Sequence, residues 1–224
     1  MVAHLALALI TFAATAEKLP LRSPRSVGMS AERLATIDRV VRRGITAGGY
    51  PGASVVIGRR GAAVMQKGFG HLGWTSSSPE VNADNTIYDL ASLSKVIGTT
   101  TALMILFDEG RLDLDAPVAS IVPEVRIDNP WEATEPVRVR HLLEHTAGFD
   151  DMHFNEIYVL DGAPDRPLDE ALLRNPASRR VRWRPGTRMA YSNPGYAVAG
   201  RVVEAVAGKP FDTYIRERIF MPLA

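Results

Sequence analysis

Apolar residues recur every three or four positions after Ser30, which is the spacing of one face of an α-helix. Serine favours the position before a helix, because its hydroxyl can accept a hydrogen bond from a free backbone N–H. Gly48, Gly49 and the Pro51-Gly52 pair would end this helix. The pattern predicts an amphipathic helix whose apolar face carries Leu34, Ile37, Val41 and Ile45.

The next stretch, ASVVIGRRGAAVMQKGFG, has an apolar run on each side of Arg60 and Gly61. This arrangement predicts a β-hairpin that turns at those two residues. Two helices are predicted after it. SLSKVIGTTTALMIL favours a helix over 92–106 that is stopped by Gly110, and VRVRHLLEHTAG favours a short helix ended by Gly148.

The C-terminal part of the pattern is irregular at first and then helical. Residues 149–182 lack periodicity apart from one helical turn expected at 168–174, and Pro185-Gly186 predicts a turn. Pro194 is suited to the first turn of a helix through GYAVAGRVVEAVAG. FDTYIRERIF predicts a last helix before MPLA.

One hairpin followed by several helices indicates an α+β protein. Two strands alone make a marginal sheet, so the predicted sheet lacks partner strands. The formal net charge of +1 and the absence of a basic run flanked by aromatic residues exclude nucleic acid as a partner. The chain has no cysteine, which excludes disulfides, a thiolate nucleophile and cysteine-ligated zinc.

The first sixteen residues, MVAHLALALITFAATA, carry no Asp, Glu, Lys or Arg and end in an A-x-A sequence. This composition predicts a signal peptide at 1–16 and a periplasmic or secreted protein. The stretch is too short for a transmembrane helix, which needs roughly 20 apolar residues. The alternative is an apolar terminus without a targeting role, since the expected Lys or Arg near Met1 is missing.

Ser92 and Lys95 lie three positions apart on a predicted helix, so their side chains share a face. A serine hydroxyl becomes a good nucleophile when a neighbouring base takes its proton. Lysine can be that base if its pKa is lowered, whereas arginine stays protonated. Only four of the 26 basic residues are lysines, so Lys95 stands out. The other interpretation is a capping serine beside an exposed lysine.

Tyr191, Ser192 and Asn193 form a second candidate motif. A tyrosine oxygen near a serine–lysine pair can relay a proton to a leaving group, and an asparagine amide can hold a substrate carbonyl or amide. The alternative is that Tyr191 only packs and Asn193 only caps the following helix.

Three segments resemble the class C β-lactamase-like serine hydrolases, which include β-lactamases, D-alanyl-D-alanine peptidases and related esterases. They are YDLASLSKVIGTTTALMILFDEGRLDLDAPV, VRVRHLLEHTAGF and RPGTRMAYSNPGYAVAGRVVEAVAGKPF. The resemblance runs from about residue 24 to the C-terminus. It implies a penicillin-binding-protein-like fold, in which an antiparallel sheet with flanking helices adjoins a mostly helical lobe.

The resemblance also implies roles for individual residues. Ser92 would be the acylated nucleophile, Lys95 its base, Tyr191 a proton shuttle and Asn193 a substrate contact. The backbone N–H of Ser92 would form half of an oxyanion hole. The family's third motif, usually K-T-G or H-x-G on a later strand, has no equivalent after Asn193. Residues 17–224 are therefore expected to form the family domain without its C-terminal strands.

HLLEH, with His141, Glu144 and His145, also matches an inverted zinc-peptidase signature. Two histidines four positions apart could bind zinc while Glu144 acts as general base. However, Thr146-Ala147-Gly148 would end the helix at once, and no well-placed helical third ligand follows. A zinc peptidase is therefore the remote alternative.

The sequence as a whole predicts a serine hydrolase that forms an acyl-enzyme at Ser92 without metal or cofactor. Its partner would be a small-molecule or peptide substrate: a β-lactam, a D-Ala peptide or an ester. The alternative from another class is a truncated, non-catalytic homologue that binds without turnover.

Overall fold

The computed structural model describes residues 19–151, 167, 168, 172 and 176–223. By its internal contacts the chain divides into two units, with the boundary between Asp89 and Leu90. The predicted signal peptide at 1–16 lies outside the described residues. So does most of the predicted turn at 168–174, of which Leu168 and Leu172 are described and helical.

The first unit contains the predicted helix and hairpin. Helix α1 spans Ala31–Thr46, and Ser30 Oγ accepts a hydrogen bond from the Arg33 N–H at 3.2 Å. Strands β1 (Gly52–Arg59) and β2 (Ala62–Gly70) pair antiparallel. Arg60 and Gly61 connect them with φ values of 52° and 70°, the left-handed backbone that tight hairpin turns favour. Both predictions are confirmed.

Close backbone packing fixes the middle of β2. A Cβ atom at Gly68 would lie 2.0 Å from the carbonyl oxygen of Val81, so no larger residue fits there. One position earlier, Lys67 forms an ion pair with Asp38 of α1. Within the described residues the sheet consists of these two strands, in agreement with the predicted shortage of strands.

The second unit is helical throughout its described elements. A π-helical turn (Lys95–Thr100) runs directly into α2 (Thr101–Asp108), and Gly110 follows with a left-handed φ of 67°. The later elements are α3 (Val118–Ile121), α4 (Val139–Leu143), a 3-10 turn (Pro176–Arg179), α5 (Asn193–Ala207), α6 (Phe211–Ile215), a π-helical turn (Arg216–Phe220) and α7 (Met221–Leu223).

Two predicted helices differ from the observed ones. The helix predicted over 92–106 begins with a wide π-helical turn, in which the Thr101 hydroxyl donates to the Val96 carbonyl five residues earlier at 3.0 Å. The helix expected to end at Gly148 ends at Leu143, because His145 already has a left-handed φ of 57°. Pro194 lies in the first turn of α5, as predicted.

The core of the second unit forms where α5 packs against α2, α3, α4 and α6. Leu103 and Leu106 of α2 are fully buried, as are Val198 and Val202 of α5. The side chains around them are also buried: Ala102, Val118, Val122, Val137, Val139, Leu142, Phe149, Ala199 and Val203. None of the described helices is both long enough and apolar enough to cross a membrane.

The core assignment predicts different effects for two apolar residues of α2. Leu106 has no exposed surface, whereas Met104 is 41% exposed. Leu106→Ala should lower the free energy of unfolding by about 2–5 kcal/mol, because it removes buried contacts and leaves a cavity. Met104→Ala should change it by about 0.5 kcal/mol or less. Urea unfolding followed by circular dichroism measures both, and equal losses would contradict the assignment.

Candidate active site

Ser92 lies at the start of the helical segment that becomes α2. Its carbonyl oxygen accepts a hydrogen bond from the Lys95 N–H at 3.1 Å, which opens the first turn. Ala91, directly before it, has a φ of 44°, in the left-handed region that residues other than glycine seldom adopt. Backbone strain of this kind concentrates at functional sites. It therefore supports Ser92 as a candidate functional residue.

The side chains of Ser92, Lys95 and Tyr191 meet at one oxygen atom. Lys95 Nζ donates to Ser92 Oγ at 3.1 Å, and the Tyr191 hydroxyl donates to the same oxygen at 2.8 Å. Lys95 Nζ also lies 5.2 Å from the centroid of the Tyr191 ring. Three of the four predicted site residues are thus in contact, so a proton can pass between the serine, the amine and the phenol.

The surroundings of Tyr191 make its hydroxyl more acidic. Burial alone would raise the pKa of Tyr191, but hydrogen bonds with Lys95 and Ser92 and the positive charge of Lys95 outweigh this effect. The pKa of Tyr191 therefore lies below its ordinary value. A phenol that loses its proton more readily is better suited to proton transfer near neutral pH.

Tyr191 is held in place through the backbone on each side of it. We call residues 145–151 the supporting loop and residues 190–193 the tyrosine segment. The Ala190 N–H donates to the His145 carbonyl oxygen at 2.9 Å, and the Ser192 N–H donates to His145 Nδ1 at 3.1 Å. The Ser192 hydroxyl donates to the Asp150 carbonyl oxygen at 3.0 Å. These bonds fix the position and direction of the tyrosine segment.

His145 also supports the tyrosine ring directly. Its ring centroid lies 4.4 Å from that of Tyr191 and 5.0 Å from that of Tyr196. Burial, together with the positive charge of Lys95, lowers the pKa of His145. A neutral ring can accept a hydrogen bond at Nδ1, which is what the Ser192 N–H requires.

Asn193, the fourth predicted residue, binds the supporting loop. Its backbone N–H and its side-chain Nδ2 both donate to Asp151 Oδ1, each at 2.9 Å. The residue that caps α5 is Ser192, whose Oγ accepts from the Gly195 N–H at 3.1 Å. The interpretation of Asn193 as the helix cap is therefore wrong.

The two histidines of HLLEH face different parts of the backbone. His141 Nδ1 accepts from the Arg138 N–H at 3.2 Å, while His145 Nδ1 accepts from Ser192. Burial lowers the pKa of His141 as well. Among residues 19–151, 176–223 and the three isolated described positions, no group of three His, Asp or Glu side chains is arranged to hold a metal ion.

Sequence reasoning did not identify the roles of His145 and Asp151 in this arrangement. The sequence pattern places His145 only in the zinc-peptidase alternative, and it does not single out Asp151. Asp151 lies in a stretch without periodicity, so no local pattern marks it. The convergence of Tyr191 on Ser92 spans 99 positions and was expected only from the family resemblance.

Comparison with known proteins identifies the family of the chain. The family model described as Beta-lactamase matches residues 37–224. A protein of Escherichia coli O157:H7 named "Putative D-alanyl-D-alanine carboxypeptidase" is 30% identical over 235 residues, which cover 98% of this chain and 53% of the relative. The chain thus spans about half the length of the curated relatives it matches.

Solved structures of the penicillin-binding type share the fold. The octameric penicillin-binding protein homologue from Pyrococcus abyssi is 28% identical with a TM-score of 0.69, over 84% of this chain and 42% of that one. The D-amino acid amidase from Ochrobactrum anthropi SV3 is 26% identical with a TM-score of 0.65, over 84% and 49%. These similarities confirm the predicted fold class, and the chain belongs to the beta-lactamase family.

Proposed function

We propose that the protein is a serine hydrolase that forms an acyl-enzyme at Ser92. The observation that carries this proposal is the pair of hydrogen bonds at Ser92 Oγ, 3.1 Å from Lys95 Nζ and 2.8 Å from the Tyr191 hydroxyl. A serine that only capped a helix would not need two proton-transfer groups at its hydroxyl. Membership of the beta-lactamase family supports the same reaction class.

In the proposed reaction Ser92 Oγ attacks the carbonyl carbon of the substrate while its proton passes to Lys95. The new Oγ–C bond forms a tetrahedral intermediate, to which the backbone N–H of Ser92 would donate a hydrogen bond. The bond to the leaving group then breaks as Tyr191 relays the proton to the departing nitrogen or oxygen. Water attacks the acyl-enzyme in a second step and releases the acid with free Ser92.

The substrate would be an acyl compound with an amide, β-lactam or ester bond. The names of the similar proteins, a D-alanyl-D-alanine carboxypeptidase and a D-amino acid amidase, favour a peptide or amide that carries a D-residue. Asn193 would contact such a substrate, since it follows Tyr191 on the tyrosine segment. The alternative, a homologue that binds without turnover, predicts substrate binding without an adduct.

Lys95→Arg tests the role of the lysine as base. Guanidinium remains protonated and cannot take the serine proton, so acylation should slow by about 100-fold or more. Lys209→Arg is the matched control, because Lys209 is exposed, pairs with Glu217 and has no part in the proposed mechanism. The measurement is intact mass after incubation of the full chain with a fluorophosphonate or a penicillin.

The same experiment includes Ser92→Ala, which should form no adduct at all. An adduct that persists in Ser92→Ala would show that another residue is labelled. An adduct that forms at the wild-type rate in Lys95→Arg would remove the lysine from the mechanism. Reversible binding of a penicillin to unlabelled wild-type protein would favour the non-catalytic alternative.

Chelation distinguishes the serine hydrolase from a zinc peptidase. EDTA or 1,10-phenanthroline should leave the labelling rate unchanged. His141→Ala should lower stability by about 1 kcal/mol, because the Arg138 N–H loses its acceptor, but should not alter the labelling rate of the folded protein. Stoichiometric zinc together with chelator-sensitive hydrolysis would reverse the assignment.

We also propose that the protein is exported, on the strength of the apolar A-x-A terminus. Expression in a bacterium with the native N-terminus should yield a mature protein that begins at Glu17. Intact-mass analysis of the fractionated cell checks both the cleavage and the compartment. Cytoplasmic protein that retains Met1 or Val2 would contradict the export proposal.

A further inference from the structure

We propose that Asp151 is a positioning residue, which fixes the side-chain amide of Asn193 and so favours acyl donors with an amide next to the scissile carbonyl. This inference rests on the proposed function, because it assigns a substrate preference to the same site. The family resemblance named Asn193, but neither that resemblance nor the sequence pattern assigned a role to Asp151.

The hydrogen bonds of Asp151 determine which way the Asn193 amide faces. One carboxylate oxygen, Asp151 Oδ1, accepts from both the N–H and the Nδ2 of Asn193 at 2.9 Å. An ionised carboxylate can only accept hydrogen bonds, so it selects the NH₂ end of the amide over the carbonyl end. The charge also makes both bonds stronger than those to a neutral acceptor. Asn193 Oδ1, on the other branch of the planar amide, is thereby turned away from Asp151.

Asp151 can act in this way because the residues before it in the supporting loop are tightly packed. Gly148 has a left-handed φ of 83°, and a Cβ atom there would lie 2.7 Å from the Trp183 carbonyl oxygen. Phe149 is 1% exposed and belongs to the core of the second unit. Asp150 forms an ion pair with Arg182. The carboxylate of the next residue is therefore presented from a fixed backbone.

The orientation of Asn193 matters because of its place in the chain. It lies two residues after Tyr191, whose hydroxyl is 2.8 Å from Ser92 Oγ. An amide already held in one orientation does not have to lose rotational freedom when a substrate binds. An acyl donor with its own amide group can use this preorganised partner, whereas a donor without one gains nothing from it.

A purely structural role for Asp151 gives a different expectation. The Asn193 N–H is one of the donors at the start of α5 that have no acceptor within the helix. Asp151 could therefore serve only to stabilise that helix end. Loss of Asp151 would then slow acylation by all substrates to the same extent. The ratio of the acylation rate constants for two substrates distinguishes the two roles.

The test compares benzylpenicillin with penicillanic acid, which has the same bicyclic ring system but no acylamino group. Second-order rate constants of acylation are measured by intact mass on the full chain. Asp151→Ala should reduce the preference for benzylpenicillin by about tenfold, the contribution of one hydrogen bond. The variant Asp151→Ala/Asn193→Ala should lose no more preference than Asn193→Ala alone, because the two residues act as one unit.

Two further variants sharpen the comparison. Asp151→Asn places an acceptor oxygen at the same position and should restore most of the preference. Asp212→Asn, at an exposed carboxylate in the first turn of α6, should retain the wild-type ratio. Equal losses on both substrates in Asp151→Ala, or losses that add to those of Asn193→Ala, would overturn the inference.

A second measurement does not require acylation. In the NMR spectrum the side-chain NH₂ of Asn193 should show slow hydrogen exchange in the wild type and in Asp212→Asn, and fast exchange in Asp151→Ala. Failure of wild-type labelling with this protection intact would contradict the proposed acyl-enzyme and not the Asp151–Asn193 contact. Fast exchange in the wild type would contradict the contact itself.

Discussion

The hydrogen bonds between the supporting loop and the tyrosine segment are the interaction on which the site depends. Ser92 and Lys95 are neighbours on one helical segment, so local geometry brings them together. Local geometry cannot bring Tyr191 to Ser92, because 99 positions separate the two residues. It reaches the serine because acceptors on His145 and Asp150 hold the backbone on both sides of it. Without these acceptors the Tyr191 phenol would have no fixed position relative to Ser92.

One positive charge influences two of the groups in this arrangement. Lys95 lowers the pKa of Tyr191 and, after burial, is the second cause that lowers the pKa of His145. For the phenol the consequence is easier release of a proton. For the imidazole it is retention of the neutral form, which keeps Nδ1 available to the Ser192 N–H. The charge of Asp151 acts in the opposite direction on both groups, so the two charges together set their acidity.

Features that depend on short stretches of chain could be predicted from the sequence. The Ser30 cap, the Arg60-Gly61 turn and the Ser92–Lys95 contact all follow from local periodicity or residue type. The wide turn before α2 could not be predicted, because α-helical and π-helical turns place the same residue types at nearly the same spacing. The contact of Tyr191 with Ser92 required the family resemblance, since no local pattern encodes a pairing over such a distance.

Ser192 couples the stability of α5 to the geometry of the proposed nucleophile, Ser92. Its hydroxyl accepts from Gly195 within the first turn of α5 and donates to Asp150 in the supporting loop. The end of a helix normally frays without harm, since the transient opening of one turn disturbs little else. Here such an opening would release the tyrosine segment at the same time. In the proposed mechanism, the local opening equilibrium of a single helical turn would therefore limit the fraction of molecules able to react, even while the rest of the unit stays folded.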